Sequence, residues 1–167
     1  MSAEGSPRTH PLVASTEAPI LEDLQQAAAR IGLTVDAIDL REPTGIENAM
    51  QTMLKNRPAA LLLTPDPFVF ARHADIAAFA LRNRLPSIAL WREFASAGGL
   101  IAHGPSLSEL VQRSTQYVDR ILKGAKPSDL PVEQPRKFDL VINLKTAKAL
   151  GLTIPPSLLQ RADQVIE

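Results

Sequence analysis

The chain has 167 residues, of which 45% are hydrophobic and 22% charged, enough for one globular domain with a buried core. Eighteen basic side chains balance eighteen acidic ones, so nothing favours nucleic acid or an anionic membrane surface as a partner. Cysteine is absent, which excludes disulfides and thiolate chemistry.

The opening residues, MSAEGSPRTHPLVASTEA, carry an early Glu4 and one short apolar run from Pro11 to Ala14, and do not read as an export signal. Residues 1–18 are therefore expected to be disordered or an altered start, followed by a single lobe over 19–167. Pro19 opens a helix with Ile20, Leu24, Ala27, Ala28 and Ile31 on one face, and Gly32 closes it. Residues 34–40 alternate as a half-buried strand. Thr44 and Glu47 have the spacing of a capping box, ahead of a helix with Ile46, Met50, Met53 and Leu54 on one side.

Ala59 to Leu63 is a continuous apolar run, the pattern of a strand covered on both faces of a parallel sheet. It leads into the rigid turn Thr64-Pro65-Asp66-Pro67. A helix is expected over about Phe68 to Asn83, burying Ile76, Phe79 and Ala80, and a short strand from Ser87 to Leu90. Trp91 to Gly99 reads as a loop ending in two glycines. Leu100 to Ala102 reads as a strand, and Ser106 with Glu109 as a second capping box. The helix that follows carries Leu110, Val111, Tyr117, Val118, Ile121 and Leu122 and ends at Gly124.

The tail begins extended at Pro131 and Pro135, runs as a buried strand from Phe138 to Ile142, and turns at Asn143 into a helix that Gly151 ends. Pro155 and Pro156 start a last helix, with Leu158, Leu159, Ala162, Val165 and Ile166 as its buried stripe. Strand and helix alternating in this rhythm define the expected class: α/β, a parallel doubly wound sheet with flanking helices. No apolar run approaches the roughly 20 residues that a membrane-spanning helix needs.

The string FDLVINLKTAKALGLTIPPSLLQRADQVIE resembles the end of ABC-transporter substrate-binding proteins of the tryptophan-binding type. The likeness continues more weakly back through RILKGAKPSDLPVEQP, WREFASAGGLIAHGP and ALLLTPDPFVF, and so covers about Pro19 onward. The resemblance implies one lobe of a type I periplasmic-binding-protein fold, the C-terminal half of a chain whose two lobes close on a ligand. It also implies a small solute such as an amino acid held without chemical change, an ABC permease as partner, and a periplasmic location. In that family the helix over 106–123 is similar to a return segment of the first lobe. Its apolar face is then open to self-association.

Ligands of open parallel sheets bind beyond the carboxyl ends of the strands. The residues expected there are Asp66, Trp91, Arg92, Glu93 and Asn143. Each has a plainer role beside the ligand-binding one. Asp66 and Asn143 suit turns and helix caps, Trp91 suits a core, and Arg92 with Glu93 suits a solvated ion pair contributing about 0–1 kcal/mol. In a cleft, Arg92 would grip a carboxylate and Glu93 an amine.

Catalysis has little support. His10, His73 and His103 lack metal-ligand spacing, and neither a serine-nucleophile elbow nor a phosphate-binding glycine loop is present. No cofactor or metal is expected. The alternative to transport is a cytoplasmic α/β ligand-sensing or interaction module; a hydrolase using Asp66 and His103 ranks behind both.

Overall fold

A computed structural model describes residues 11–14, 18–38, 45–56 and 58–167. The first element corrects the expected unstructured start: Pro11–Ala14 forms strand β1, which pairs in parallel with a neighbour on each side. Four apolar residues suffice because both neighbours satisfy their backbone groups. The capping-box pair Thr44 and Glu47 has no described side chains.

Helix α1 (Ala18–Arg30) buries Ala28 and is closed by Gly32 at φ 74°. It leads to β2 (Asp36–Ile38), and α2 (Gly45–Asn56) then buries Ala49 and Met50. Strand β3 (Ala60–Leu63) places Leu61 and Leu63 wholly inside. The helix expected over Phe68 to Asn83 is two helices, α3 (Pro67–Ala71) and α4 (His73–Arg82), separated at Arg72. There the Arg72 N–H bonds back only three residues, to the Val69 carbonyl, and the axis breaks. Ile76, Phe79 and Ala80 on α4 are buried as expected.

Strand β4 (Ser87–Ala89) is followed by α5 (Arg92–Ser96), a five-residue helix where a loop was expected. Phe94 and Ala95 on α5 are fully buried, and that burial holds a helix too short to persist alone. Gly98 at φ 110° turns the chain into β5 (Ile101–Pro105). The core gathers Leu61, Leu63, Val69, Ile76, Ala77 and Phe94 between sheet and helices. Burying a side chain of the larger kinds contributes about 1.5–3 kcal/mol.

Helix α6 (Leu107–Leu122) is strongly amphipathic, yet none of its residues is buried. The expected box between Ser106 and Glu109 does not form. Ser106 is buried with its hydroxyl 3.0 Å from that of Ser108, and Glu109 instead meets Arg113 at 3.5 Å. The segment after a 3-10 turn (Pro127–Asp129) runs back along α6, where the Tyr117 hydroxyl donates to the Pro131 carbonyl at 2.7 Å.

Strand β6 (Phe138–Asn143) runs into α7 (Leu144–Leu150), capped by Asn143 and ended by Gly151 at φ 73°. The last expected helix is shorter than its apolar stripe suggested: α8 (Pro156–Leu159) gives way to strand β7 (Gln164–Ile166). Asp163 fixes that change. Its carboxylate accepts from the Leu140 N–H at 2.8 Å, and its own N–H donates to the Leu140 carbonyl at 2.9 Å.

The strands form one sheet in the order β2-β1-β3-β4-β5-β6-β7. All pairings are parallel except β5 with β6, where Pro105 faces Phe138 and Ile101 faces Ile142. The carboxyl ends of β1, β3, β4 and β5 therefore share one rim, and the chain leaves this rim for α6 and returns to it at Phe138.

Candidate ligand site at the carboxyl rim

The turn after β3 presents Asp66 in an extended conformation, with Oδ1 accepting from the N–H groups of Phe68 at 2.8 Å and Val69 at 3.1 Å. Pro67 occupies the first helical position, where its missing N–H costs nothing. The cap fixes α3 so that Phe70 meets Trp91 edge to face, their ring centroids 5.3 Å apart. Trp91 follows β4 and is only 6% exposed.

These groups border an open cavity of about 530 Å³, lined by Pro65, Asp66, Phe70, Leu90 and Trp91 on the sheet side and by Leu107 and Leu110 from α6. Apart from Asp66 its walls are apolar. A smaller recess of about 60 Å³ shares Leu90, Trp91, Pro105 and Leu107 and adds Arg92, Glu93, Ser108 and Asp139. Two polar atoms of these wall residues are fully buried, shut off from the recess, and have no hydrogen-bond partner among the described residues: the Trp91 indole nitrogen and Glu93 Oε2.

Asp66, Trp91, Arg92 and Glu93 are thus brought together at one rim. Asn143 is not. Because β6 runs antiparallel to β5, its carboxyl end lies at the opposite rim, where the Asn143 N–H donates to the Leu100 carbonyl at 2.9 Å. Its amide is buried and used internally: Nδ2 donates to the Ala95 carbonyl at 2.9 Å, and Oδ1 accepts from the Thr146 N–H at 3.0 Å. Arg92 and Glu93 form no ion pair with each other among the described residues. The exposed guanidinium of Arg92 donates instead to Gln164 Oε1 at the start of β7.

Sequence reasoning missed Phe70, Leu107, Leu110 and Asp139. Phe70 lies one helical turn beyond Asp66, a spacing that points at the same rim. Asp139 had no such signal, since only the β5–β6 pairing brings it there. His103, exposed on β5, turns Nδ1 to the Asp139 carbonyl oxygen at 3.2 Å and lines neither cavity. Among the described residues no cluster of three His, Cys, Asp or Glu side chains suits a metal, and no helix is long and apolar enough to cross a membrane.

A mostly parallel α/β sheet with flanking helices and an apolar cavity at its carboxyl rim defines a periplasmic-binding-protein-like lobe. The family model described as ABC transporter substrate binding protein matches residues 12–166, and the chain belongs to that family. No curated protein matches it.

Among solved structures, an ABC domain from Streptococcus pneumoniae in complex with L-Trp is 26% identical, with a TM-score of 0.85 over 95% of this chain and 55% of that one. A conserved domain protein from Vibrio cholerae is 23% identical, with a TM-score of 0.84 over 95% of this chain and 54% of that one. A ligand-free, open substrate-binding protein with adhesive properties from Clostridium difficile is 20% identical, with a TM-score of 0.66 at the same coverages, 95% and 54%. The chain thus spans about half the length of the solved relatives it matches.

Proposed function

We propose that residues 19–167, with β1 added to them, supply one wall of the cleft in a solute-binding component of an ABC importer. The wall holds a small solute with a largely apolar body, of the amino-acid kind, and does not change it chemically. The observation that carries this reading is the 530 Å³ apolar cavity at the rim of a sheet whose family is substrate-binding. Asp66 shapes the cavity through its cap, Trp91 floors it, and Arg92 with Glu93 lines the smaller recess beside it. On this reading the partner is the importer's permease and the working compartment is the periplasm.

Affinity in such a cleft comes from burying roughly 70–90% of the ligand between two walls. One open wall should bind at a Kd of about 1 mM or weaker. Ligand-observed NMR against an amino-acid panel at about 10 mM is the test, and silence from every solute sinks the reading. In thermal unfolding, 1 mM of a bound solute is expected to raise the midpoint by less than about 2 °C. A rise of several degrees would show that one wall suffices.

Helix α6 leaves Val111 at 65%, Val118 at 54% and Leu122 at 81% exposure along one stripe. Contiguous apolar surface of this kind is a contact surface by default. On this reading two copies associate through these stripes, so light scattering should give a mass above the 18.1 kDa of one chain, and Val118→Asp should return the monomer. A monomer from the unmodified chain counts against it.

A further inference from the structure

Hydrogen-bond donors are scarce around the larger cavity. Pro65, Pro67 and Pro105 have no backbone N–H, the Phe70 N–H is taken by the Asp66 carbonyl at 2.8 Å, and the Leu110 N–H by the Ser106 carbonyl at 3.0 Å. The Trp91 indole N–H is fully buried and does not reach the open space. An anionic group depends on donors or a cation for its solvation; the lining offers few of the first and, among the described residues, none of the second. A primary ammonium fares little better, because its three N–H groups need acceptors and only Asp66 interrupts the apolar walls.

Charge and aromatic surface nevertheless favour a cation. Of the charged residues that line the cavity and the recess beside it, Asp66, Glu93 and Asp139 are carboxylates, and the one cation, Arg92, donates to Gln164. Counting also the Lys137 ammonium, 3.7 Å from Asp139, carboxylates remain in excess, and a rim of that sign concentrates cations. Phe70 is 38% exposed at the cavity wall and packs on Trp91 with the ring planes at 66°. Aromatic faces attract cations, best those whose charge is spread over methyl groups and brings no N–H to satisfy.

We propose that the cavity takes a fully methylated ammonium group, its methyls against Phe70, Trp91 and the prolines. The ligand class is a small quaternary ammonium compound, of the choline or N-trimethylated amino-acid kind. The assignment rests on the solute-binding reading above and narrows it: the apolar body and the positive charge are one group, and Phe70 is the residue that tells it from an uncharged body of the same shape.

Three probes separate shape from charge: choline, its uncharged isostere 3,3-dimethyl-1-butanol, and ethanolamine, which keeps the charge but carries N–H groups. Trp91 is the sole tryptophan and lines the cavity, so its emission follows each titration of the full chain at matched ionic strength. Choline should bind about 3–10-fold more tightly than the isostere, with ethanolamine weakest. Phe70→Leu keeps the wall apolar but removes the ring, and should reduce that preference to about 2-fold or less, whereas Phe70→Tyr should retain it. Equal binding of choline and isostere by the unmodified chain, tighter binding of ethanolamine, or a choline preference undiminished in Phe70→Leu overturns the assignment. If the NMR panel detects amino-acid binding while choline has no advantage over its isostere, the ammonium assignment falls and the cavity reading stands. If the panel and all three probes are silent, both fall.

Discussion

Replacing Asn143 by alanine is expected to destabilise the protein by about 1.5–2.5 kcal/mol, lowering the thermal midpoint by about 3–10 °C. Two losses combine. The Thr146 N–H loses its cap acceptor, worth about 1 kcal/mol, and the Ala95 carbonyl loses one of its donors while keeping the Gly98 N–H at 3.2 Å, a further loss of about 0.5–1.5 kcal/mol. Against a total stability of about 5–15 kcal/mol this is a large fraction. Asn143→Asp separates the two contributions. Aspartate is as good a cap in isolation, yet here it would set a buried carboxylate against the Ala95 carbonyl, so it should be less stable than alanine in denaturant unfolding. An aspartate variant as stable as the unmodified chain would show that only the cap matters.

Gly104→Ala should cost about 3 kcal/mol or more. A Cβ at Gly104 would sit 2.1 Å from the Leu90 carbonyl oxygen and 2.9 Å from the Leu90 Cα, backbone atoms that cannot rotate aside. The cost is steric. Relief requires β4 and β5 to separate at the rim, next to Leu90, Trp91 and Pro105, which line the cavity. The variant should therefore shift Trp91 emission as well as the unfolding midpoint. Unchanged emission together with an unchanged midpoint would refute the close approach of the two strands.

The parts of the fold legible in the sequence were those set by short-range rules. The Asn143 cap, the left-handed Gly151, the Asp66 turn and the apolar β3 each depend on a few neighbours, and each stands where the residues placed it. What escaped depended on distant contacts. Helix α5 exists because Phe94 and Ala95 find a core, and β7 because Asp163 bonds Leu140; neither shows in local spacing. The antiparallel sense of β6 had the widest effect, since it carried Asn143 to the far rim while bringing Asp139 to the near one. Four of the five expected site residues share the carboxyl rim because β3 and β4 are parallel. Arg92, however, spends its guanidinium on Gln164, a pairing that only the placement of β7 creates.

The two ends of the sheet are blunt. Its outermost strands, β2 and β7, are three residues each, β2 begins with Asp36, and β7 is flanked by Asp163 and Glu167. Short, charged margins of this kind discourage a neighbour's backbone from zipping onto the sheet as an added strand. Copies of this protein that meet in solution are thereby steered away from amyloid-like stacking, and reversible contact through side chains is the route the architecture leaves open.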